Sequence, residues 1–189
     1  MTPISQKTSQ GFAVELYFDV ETENTFRGFR EKIYAAGVDP VSGKMGDRPH
    51  VSLAVFAEVD MPCLKDLCRE FADHLPPFPV TLSAVGTFPT QDNVIFLTPV
   101  PTLQLLQVHS EFHDRLKCSH LHSSSYYHPG KWVPHCTLEL ELPGEQFLLA
   151  FKTAHDLFTP IKGKYASLGI VSFRPIHYLA EYQLQKEKK

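Results

Sequence analysis

The sequence lacks several features that would assign a protein to a broad class at once. No run of about eighteen apolar residues occurs, so no membrane-spanning helix is expected. Residues 1–10 are polar and hold no apolar core segment, so no secretion signal is predicted and a cytoplasmic location is expected. With 18 basic and 21 acidic side chains the net charge is −3. This balance excludes a broad basic surface for long nucleic acid but allows a local phosphate site.

Cysteine is scarce as well. The chain has four cysteines and no CxxC pair, which argues against a zinc knuckle or a thioredoxin-type motif. Without a secretion signal, reduced and mostly buried thiols are expected. In contrast, the sequence contains ten histidines, which are candidates for functional residues.

The length and composition are those of a folded protein. The 189 residues, of which 43% are hydrophobic and 21% charged, fit one ordinary domain or two small lobes with a shared core. Residues 119–131 form the longest irregular stretch, and the tail 186–189 is expected to be solvated. Hydrophobic periodicity predicts strands over 12–20, 48–56, 80–88, 94–98, 132–142, 165–173 and 176–183. It predicts helices over 21–36, 60–75, 102–117 and 145–158.

The predicted elements contain an internal repeat. The order strand, helix, strand, helix, strand occurs twice, and the sequence PHVSL at 49–53 parallels PHCTL at 134–138. The offset between the two histidines is 135 − 50 = 85 residues. We therefore predict a single domain of two lobes related by a pseudo-two-fold axis, with equivalent strands facing each other across a cleft. The predicted boundaries are 12–89 for the first repeat, 92–175 for the second and 176–184 for a final strand.

Each repeat places a histidine and a hydroxyl on one face of a strand. Side chains alternate across a strand, so His50 and Ser52 share one face, and His135 and Thr137 share the corresponding face of the second strand. The residues between them are apolar and pack on the helices, so the polar faces point into the space between the lobes. The same alternation adds Arg48 and Ala54 to the first face and Glu139 and Glu141 to the second.

Two imidazoles on opposite sides of a cleft suit the cleavage of a phosphodiester. One group must remove a proton from the attacking oxygen, and another must protonate the leaving oxygen on the far side of phosphorus. Imidazole, with an ordinary pKa of about 6.5, can do either at neutral pH. The hydroxyls of Ser52 and Thr137 would donate hydrogen bonds to the non-bridging oxygens. The arrangement needs no metal, and the sequence leaves open which histidine is the base.

These residues resemble the motifs of a known family. A His-x-Ser/Thr-x motif in a strand of each repeat, here HVSL at 50–53 and HCTL at 135–138, marks the two-histidine (2H) phosphoesterase superfamily. The run GKWVPH at 130–135 is similar to the bacterial 2'-5' RNA ligase-like branch. The resemblance extends from about residue 12 to residue 183, and the first motif has serine where many members have threonine.

The resemblance implies a fold and an activity. The fold is α+β and bilobal, with two antiparallel sheets flanking a central cleft and helices outside, the LigT-like fold. The implied activity is a metal-independent and cofactor-free phosphodiesterase for RNA or nucleotide 2',3'-cyclic phosphates or 2'-5' linkages, with reversible 2'-5' ligation as a further expectation. By resemblance His50 and His135 are catalytic, and Ser52 and Thr137 bind phosphate.

The expected partners follow from the same resemblance. They are RNA ends or small nucleotides, with no membrane and no obligate protein partner. The absence of an additional apolar stripe favours a monomer.

Several other side chains are candidates for substrate contact. Trp132 and Tyr127 offer rings on which a base can stack. Arg48 shares the face of His50 and is a candidate phosphate contact, and Tyr17 projects with Glu15 from the polar face of the first strand. Core packing of Trp132 and a solvent-facing Arg48 are the open alternatives.

Two other functions are compatible with the sequence. The first is a nucleotide-binding module for an AMP-like ligand that retains the cleft without turnover. The second is a metallohydrolase that uses the additional histidines, such as His109 and His113, four residues apart on a helix. Their order, HSEFH, is not the HExxH order of zinc proteases, so we expect them on a solvated helix face and predict no metal site.

Overall fold

The computed structural model describes residues 10–185, which form seven strands and five α-helices. The polar N-terminal residues 1–9 and the tail 186–189 lie outside the described residues. A 3₁₀ helix, Ser125–Tyr127, lies between α4 and β5. The strands are β1 (Gly11–Phe18), β2 (His50–Phe56), β3 (Phe78–Thr87), β4 (Ile95–Pro99), β5 (Cys136–Glu139), β6 (Ile161–Phe173) and β7 (His177–Gln183). The helices are α1 (Val20–Ala35), α2 (Val41–Met45), α3 (Met61–Asp73), α4 (Leu103–Cys118) and α5 (Gly144–Leu157).

Side-chain caps explain where three of the helices begin. The side chain of Asp19 accepts a hydrogen bond from the Thr22 N–H at the start of α1, and Asp60 and Thr102 cap α3 and α4 in the same way. All four predicted helices are present, with their ends displaced by one or two residues. Only the short α2 was not anticipated. Within residues 10–185, no helix is both long and apolar enough to cross a membrane.

The seven strands form one antiparallel sheet with the order β2-β1-β6-β3-β4-β5, and β7 pairs with β6. The first part of β6 pairs with β3, and its later part pairs with β1 and β7. The predicted α+β class is confirmed. The strands expected in two separate sheets form one sheet, because β6 pairs with β1 from one expected sheet and with β3 from the other. In the sequence repeat, β1 corresponds to β4, β2 to β5 and β3 to β6. Replacing each strand in the order by its counterpart gives the same order read from the other end, as a two-fold relation requires. The two lobes and their symmetry axis remain predictions.

The helices and the sheet enclose one apolar core. Helices α1, α3 and α4 contribute buried side chains to this core, among them Phe26, Leu64, Phe71 and Phe112. Although β2 and β5 are at opposite ends of the strand order, they lie against each other. The sheet is therefore curled, which brings the two motif-bearing strands together. All four cysteines are free, and two of them, Cys68 and Cys136, are buried.

The strand that carries the second motif is shorter than predicted. The sequence pattern predicts a strand over 132–142, whereas β5 comprises only Cys136–Glu139. Pro134 has no N–H to donate to a neighbouring strand, and Glu141 has a left-handed φ of 58° that ends the extended conformation. The residues before Cys136 therefore leave the sheet, which frees Trp132 to turn towards β2.

A β-bulge follows the hydroxyl residue in both motif strands. The extra residues are Leu53 in β2 and Leu138 in β5, which have no Cα partner in the adjacent strand. A bulge reverses the alternation beyond it. Ala54 and Glu139 are consequently fully buried, so the prediction that they extend the polar faces is wrong. The Glu139 carboxylate accepts hydrogen bonds from the Tyr34 hydroxyl and from the Ser42 N–H.

A buried arginine joins α1 to both motif regions. The Arg30 guanidinium donates to both carboxylate oxygens of Asp47 at 3.2 Å and to the Thr137 carbonyl at 3.1 Å. Asp47 lies just before β2, and Thr137 belongs to the second motif. Arg30 thus holds the starts of the two motif strands in a fixed relation.

Replacing this arginine should cost substantial stability. Arg30→Met removes one partner of a buried ion pair and leaves Asp47 without its cation, so we expect the free energy of unfolding to fall by about 3 kcal/mol. The matched control is Arg69→Met, because Arg69 pairs with Asp66 on an exposed helix face. That change should stay within about 0.5 kcal/mol. Urea denaturation at pH 7 measures both, and equal effects would contradict the assigned role of Arg30.

Candidate active site

The two motif histidines are tethered in the same way. Nδ1 of His50 lies 2.7 Å from the carbonyl oxygen of Arg48, and Nδ1 of His135 lies 2.7 Å from that of Val133. A carbonyl oxygen only accepts hydrogen bonds, so Nδ1 of each ring carries a proton. Nε2 is therefore the nitrogen that each ring has available for chemistry.

The structure brings the two motif strands together. They lie against each other, and the backbone N–H of His50 faces the Cys136 thiol. The charge on His50 also acts on His135, because it contributes to lowering the pKa of that ring. The sequence-predicted hydroxyls of Ser52 and Thr137 lie two residues further along each strand, before the bulges and on the same faces as the imidazoles.

The second histidine has apolar surroundings. The ring of His135 contacts Phe88 edge-on at 5.0 Å between centroids and Phe96 at 5.4 Å. Burial lowers the pKa of His135 below its ordinary 6.5, the Val133 carbonyl opposes this, and the charge on His50 lowers the pKa further. At neutral pH, His135 is accordingly an uncharged imidazole with a lone pair on Nε2.

The first histidine has polar surroundings. Its Nε2 lies 3.3 Å from Oε1 of Glu15, and the other oxygen of that carboxylate accepts a hydrogen bond of 2.8 Å from the Tyr17 hydroxyl. Burial and the charge of Glu15 raise the pKa of Tyr17 far above its ordinary value, so its hydroxyl keeps its proton. Glu15 is only 6% exposed, which makes this a carboxylate enclosed with an imidazole.

An aromatic ring covers a glycine beside each histidine. The Tyr17 ring lies over Gly169 of β6, and the Phe96 ring lies over Gly86 of β3, so a Cβ at either glycine would overlap the ring. Both rings also contact the motif histidine of their half, at 6.5 Å for Tyr17 and His50. Phe96 escaped sequence reasoning, although the repeat places it on the strand equivalent to that of Tyr17.

The predicted phosphate contact Arg48 binds protein carboxylates. Its guanidinium donates to Glu23 at 2.7 Å and to Glu181 at 2.9 Å, and it lies 4.0 Å from the centre of the Tyr17 ring. The structure therefore places Arg48 beside Tyr17 and not free in solvent. A phosphate contact by Arg48 stays a prediction.

Trp132 connects the second motif to the first strand of the site. Its indole N–H donates to the Ser52 carbonyl at 3.0 Å, and one face of the ring is stacked on His109 at 3.8 Å with an angle of 3°. Trp132 is partly buried. Because His109 occupies one face of the ring, stacking of a base is restricted to the other face and stays a prediction.

The histidines of α4 are buried, so their predicted solvated face is wrong. His109 and His113 are 2% and 9% exposed, and their Nε2 atoms lie near the carbonyls of Tyr127 and Leu53. These contacts and those of Trp132 cover the outer edge of β2. They also pack the predicted irregular segment 119–131 against the protein. In residues 10–185, no cluster of three or more His, Cys, Asp or Glu side chains is arranged to hold a metal ion.

The Tyr127 phenol is affected by the charge of Glu15. Burial, and then the charge of Glu15, raise the pKa of Tyr127 to about 12. The same carboxylate faces Nε2 of His50. Its neighbour Tyr126 is 72% exposed and points elsewhere.

The curled antiparallel sheet and the paired histidine motifs define the two-histidine class of phosphoesterase folds. The sequence profile of the 2'-5' RNA ligase superfamily matches residues 16–174. The chain therefore belongs to the 2'-5' RNA ligase superfamily, which confirms the resemblance. A relative from Oceanobacillus iheyensis, named as a phosphoesterase, is 27% identical over 139 residues, which are 72% of this chain and 69% of the relative.

Solved structures share the fold at low sequence identity. TT0787 of Thermus thermophilus superposes with a TM-score of 0.62 at 16% identity and covers 94% of this chain and 100% of its own. LigT of Escherichia coli complexed with 3'-AMP gives 0.60 at 18% identity, with 94% and 98% covered. Usb1 of Kluyveromyces marxianus with uridine monophosphate gives 0.52 at 14% identity, with 93% and 97% covered.

The buried His109 should make stability depend on pH. Burial, and then the charge on His113, lower its pKa from 6.5 to about 4, so between these pH values His109 is neutral in the folded protein but protonated in the unfolded chain. This stabilisation is complete above pH 6.5 and is lost as the pH falls towards 4. We expect wild-type protein to lose about 2 kcal/mol more than His109→Gln between pH 7 and pH 5.

Urea denaturation at the two pH values measures this difference. His155→Gln is the control, because the His155 side chain is 77% exposed on α5. The control should retain the pH dependence of the wild type. An unchanged pH dependence in His109→Gln would contradict the account of α4.

Proposed function

We propose that this superfamily member is a metal-independent phosphodiesterase for 2',3'-cyclic phosphates or 2'-5' linkages in RNA ends and small nucleotides. One observation carries the proposal. Two imidazoles from motif strands that lie against each other are each held through Nδ1 by a carbonyl two residues earlier, so Nε2 is the nitrogen of each ring that is left for proton transfer. Acid–base cleavage of a phosphodiester needs this pair of proton-transfer groups.

The proposed mechanism is an in-line displacement at phosphorus. Nε2 of one histidine takes a proton from water while the water oxygen bonds to phosphorus. Nε2 of the other donates a proton to the ribose oxygen as its bond to phosphorus breaks. The Ser52 and Thr137 hydroxyls donate to the non-bridging oxygens, where negative charge develops. When a 5'-hydroxyl takes the place of water, its oxygen bonds to the phosphorus of a 2',3'-cyclic phosphate while the bond from phosphorus to the 3' oxygen breaks and that oxygen is protonated, which leaves a 2'-5' linkage.

The substrate class rests on weaker support. Structures with the same fold are complexes with 3'-AMP in LigT and uridine monophosphate in Usb1, and both ligands are small nucleotides. Trp132, Tyr127, Tyr17 and Arg48 stay the predicted substrate contacts around the phosphate. A cytoplasmic location and a monomeric state are predictions as well.

A substrate panel tests the proposal directly. It contains 2',3'-cyclic nucleotides, ADP-ribose 1'',2''-cyclic phosphate, and 2'-5' and 3'-5' oligonucleotides, each incubated with EDTA. We expect turnover of at least one cyclic or 2'-5' substrate at a rate that EDTA leaves unchanged. Binding of a nucleotide monophosphate without any turnover would favour the nucleotide-binding module, and stoichiometric zinc with EDTA-sensitive turnover would favour a metallohydrolase.

Both motif histidines should be needed. His50→Ala and His135→Ala each remove one proton-transfer group, so kcat/KM for the best panel substrate should fall by about 10²- to 10⁴-fold in each. His155→Ala, on an exposed helix face, is the matched control and should keep wild-type activity. Full activity in either motif variant would rule out the two-histidine mechanism.

A further inference from the structure

We propose that Glu15 is a positioning residue that keeps a proton on His50, which makes His50 the general acid and His135 the general base. This inference rests on the proposed function, since it divides the two roles of that reaction between the two histidines. The sequence motifs are alike in both repeats and do not make the division. The neighbours of the two rings do.

Two hydrogen-bond acceptors face the ring nitrogens of His50. Nδ1 faces the Arg48 carbonyl at 2.7 Å, and Nε2 faces the Glu15 carboxylate at 3.3 Å. Carbonyl and ionised carboxylate oxygens only accept hydrogen bonds. With Glu15 ionised, both contacts are favourable only when each ring nitrogen carries a proton, and this is the state that the proposal assigns to His50.

The carboxylate itself is held in place. Oε2 of Glu15 accepts from the Tyr17 hydroxyl at 2.8 Å, which leaves Oε1 for Nε2 of His50. The Tyr17 ring packs against both the Arg48 guanidinium and Gly169, which restricts the movement of the Tyr17 hydroxyl. The pair Glu15 and His50 is thus built into β1 and β2, whose register places Glu15 opposite Ser52 and Tyr17 opposite His50.

The other titratable groups around this pair do not replace Glu15. Burial raises the pKa of Tyr17, Tyr178 and the Cys136 thiol, and it raises that of Tyr127 to about 12, so all four are neutral at pH 7. The positive charge of Arg48 is shared by two carboxylates of its own, Glu23 and Glu181. Asp47, which also acts on Cys136 and Tyr178, is paired with Arg30. Across the site lies His135, whose charged form would repel a charged His50.

The equivalent surroundings in the second half are apolar. The residue paired with the motif hydroxyl residue is Glu15 in the first half and Phe96 in the second, so the second half has no carboxylate at this position, and His135 contacts Phe88 and Phe96. Burial and the charge on His50 favour the neutral form of His135. The two halves therefore present a charged proton donor and a neutral proton acceptor to the same substrate.

Catalysis then begins with both groups in the required state. The leaving ribose oxygen replaces Oε1 of Glu15 as the acceptor of the proton on Nε2 of His50, and it receives that proton as its bond to phosphorus breaks. His135 takes the proton from the attacking water. After product release, His50 regains a proton and His135 loses one to solvent, which restores the starting state.

The pH dependence of kcat/KM tests the proposal, because it reports the ionisation of the free enzyme. In Glu15→Gln the shape and the acceptor for Tyr17 are kept, but the negative charge is lost. We expect the basic limb, where the general acid loses its proton, to move about one pH unit lower. At a pH on that limb, kcat/KM should fall about 10-fold. Glu111→Gln, which removes a carboxylate from a surface pair with Arg115, should leave both limbs in place.

Two outcomes of this experiment would overturn the proposal. If the acidic limb moves instead of the basic limb, His50 is the general base and the roles are reversed. If the profile of Glu15→Gln superimposes on that of the wild type, Glu15 does not act on His50. A merely structural role of Glu15 would lower activity at every pH without moving a limb.

A ¹⁵N NMR titration of the imidazole signals provides a test that needs no substrate. His50 and His135 are assigned from the spectra of their Gln variants. In wild-type protein we expect His135 to lose its second proton at a lower pH than His50, and in Glu15→Gln this difference should shrink by about one pH unit. The reverse order in wild type overturns the proposal even if the Glu15 variant does not fold. Absence of turnover on the panel would overturn the proposed function alone.

Discussion

The alternation of side chains along β2 and β5 is the constraint on which the site depends. Apolar residues at every second position must enter the core, so the histidine and the hydroxyl of each motif are left on the opposite face. The bulges at Leu53 and Leu138 end this pattern directly after the hydroxyl residues, because the residues that follow them, Ala54 and Glu139, are buried as well. Because the curled sheet sets β2 against β5, two short polar segments from distant parts of the chain meet in one place. A shift of either strand by one residue would exchange the imidazoles for core residues.

The two motif imidazoles make the same backbone contact but have different side chains around them. The Nδ1 contacts to carbonyls two residues earlier fix both rings with Nε2 available. Around one ring stand Glu15 and Tyr17, and around the other stand Phe88 and Phe96. The two repeats thus hold their histidines in the same way. They differ in the residues around the rings, and the proposed acid and base roles rest on this difference.

The features predictable from the sequence were those set by local physics. Strand periodicity located the motif faces, Asp60 marked the start of α3, and the spacing of 85 residues related the motifs. Features that depend on distant contacts were missed. Nothing near His109 in the sequence reveals that Trp132 stacks on it, and Arg30 is an ordinary helix residue until Asp47 and Thr137 surround it. The shortened β5 and the burial of Glu139 likewise follow from pairing and bulging, which a pattern within one strand does not encode.

The central claim is that both Nε2 atoms act on one phosphorus from opposite sides. A crystal structure with a nucleoside–vanadate adduct, which mimics five-coordinate phosphorus, tests this most directly. The account predicts that the two apical oxygens lie within hydrogen-bond distance, about 2.7–3.1 Å, of Nε2 of His50 and Nε2 of His135. It also predicts that the Ser52 and Thr137 hydroxyls contact the equatorial oxygens. A vanadate that binds elsewhere, or that has both histidines on the same side, would contradict the account.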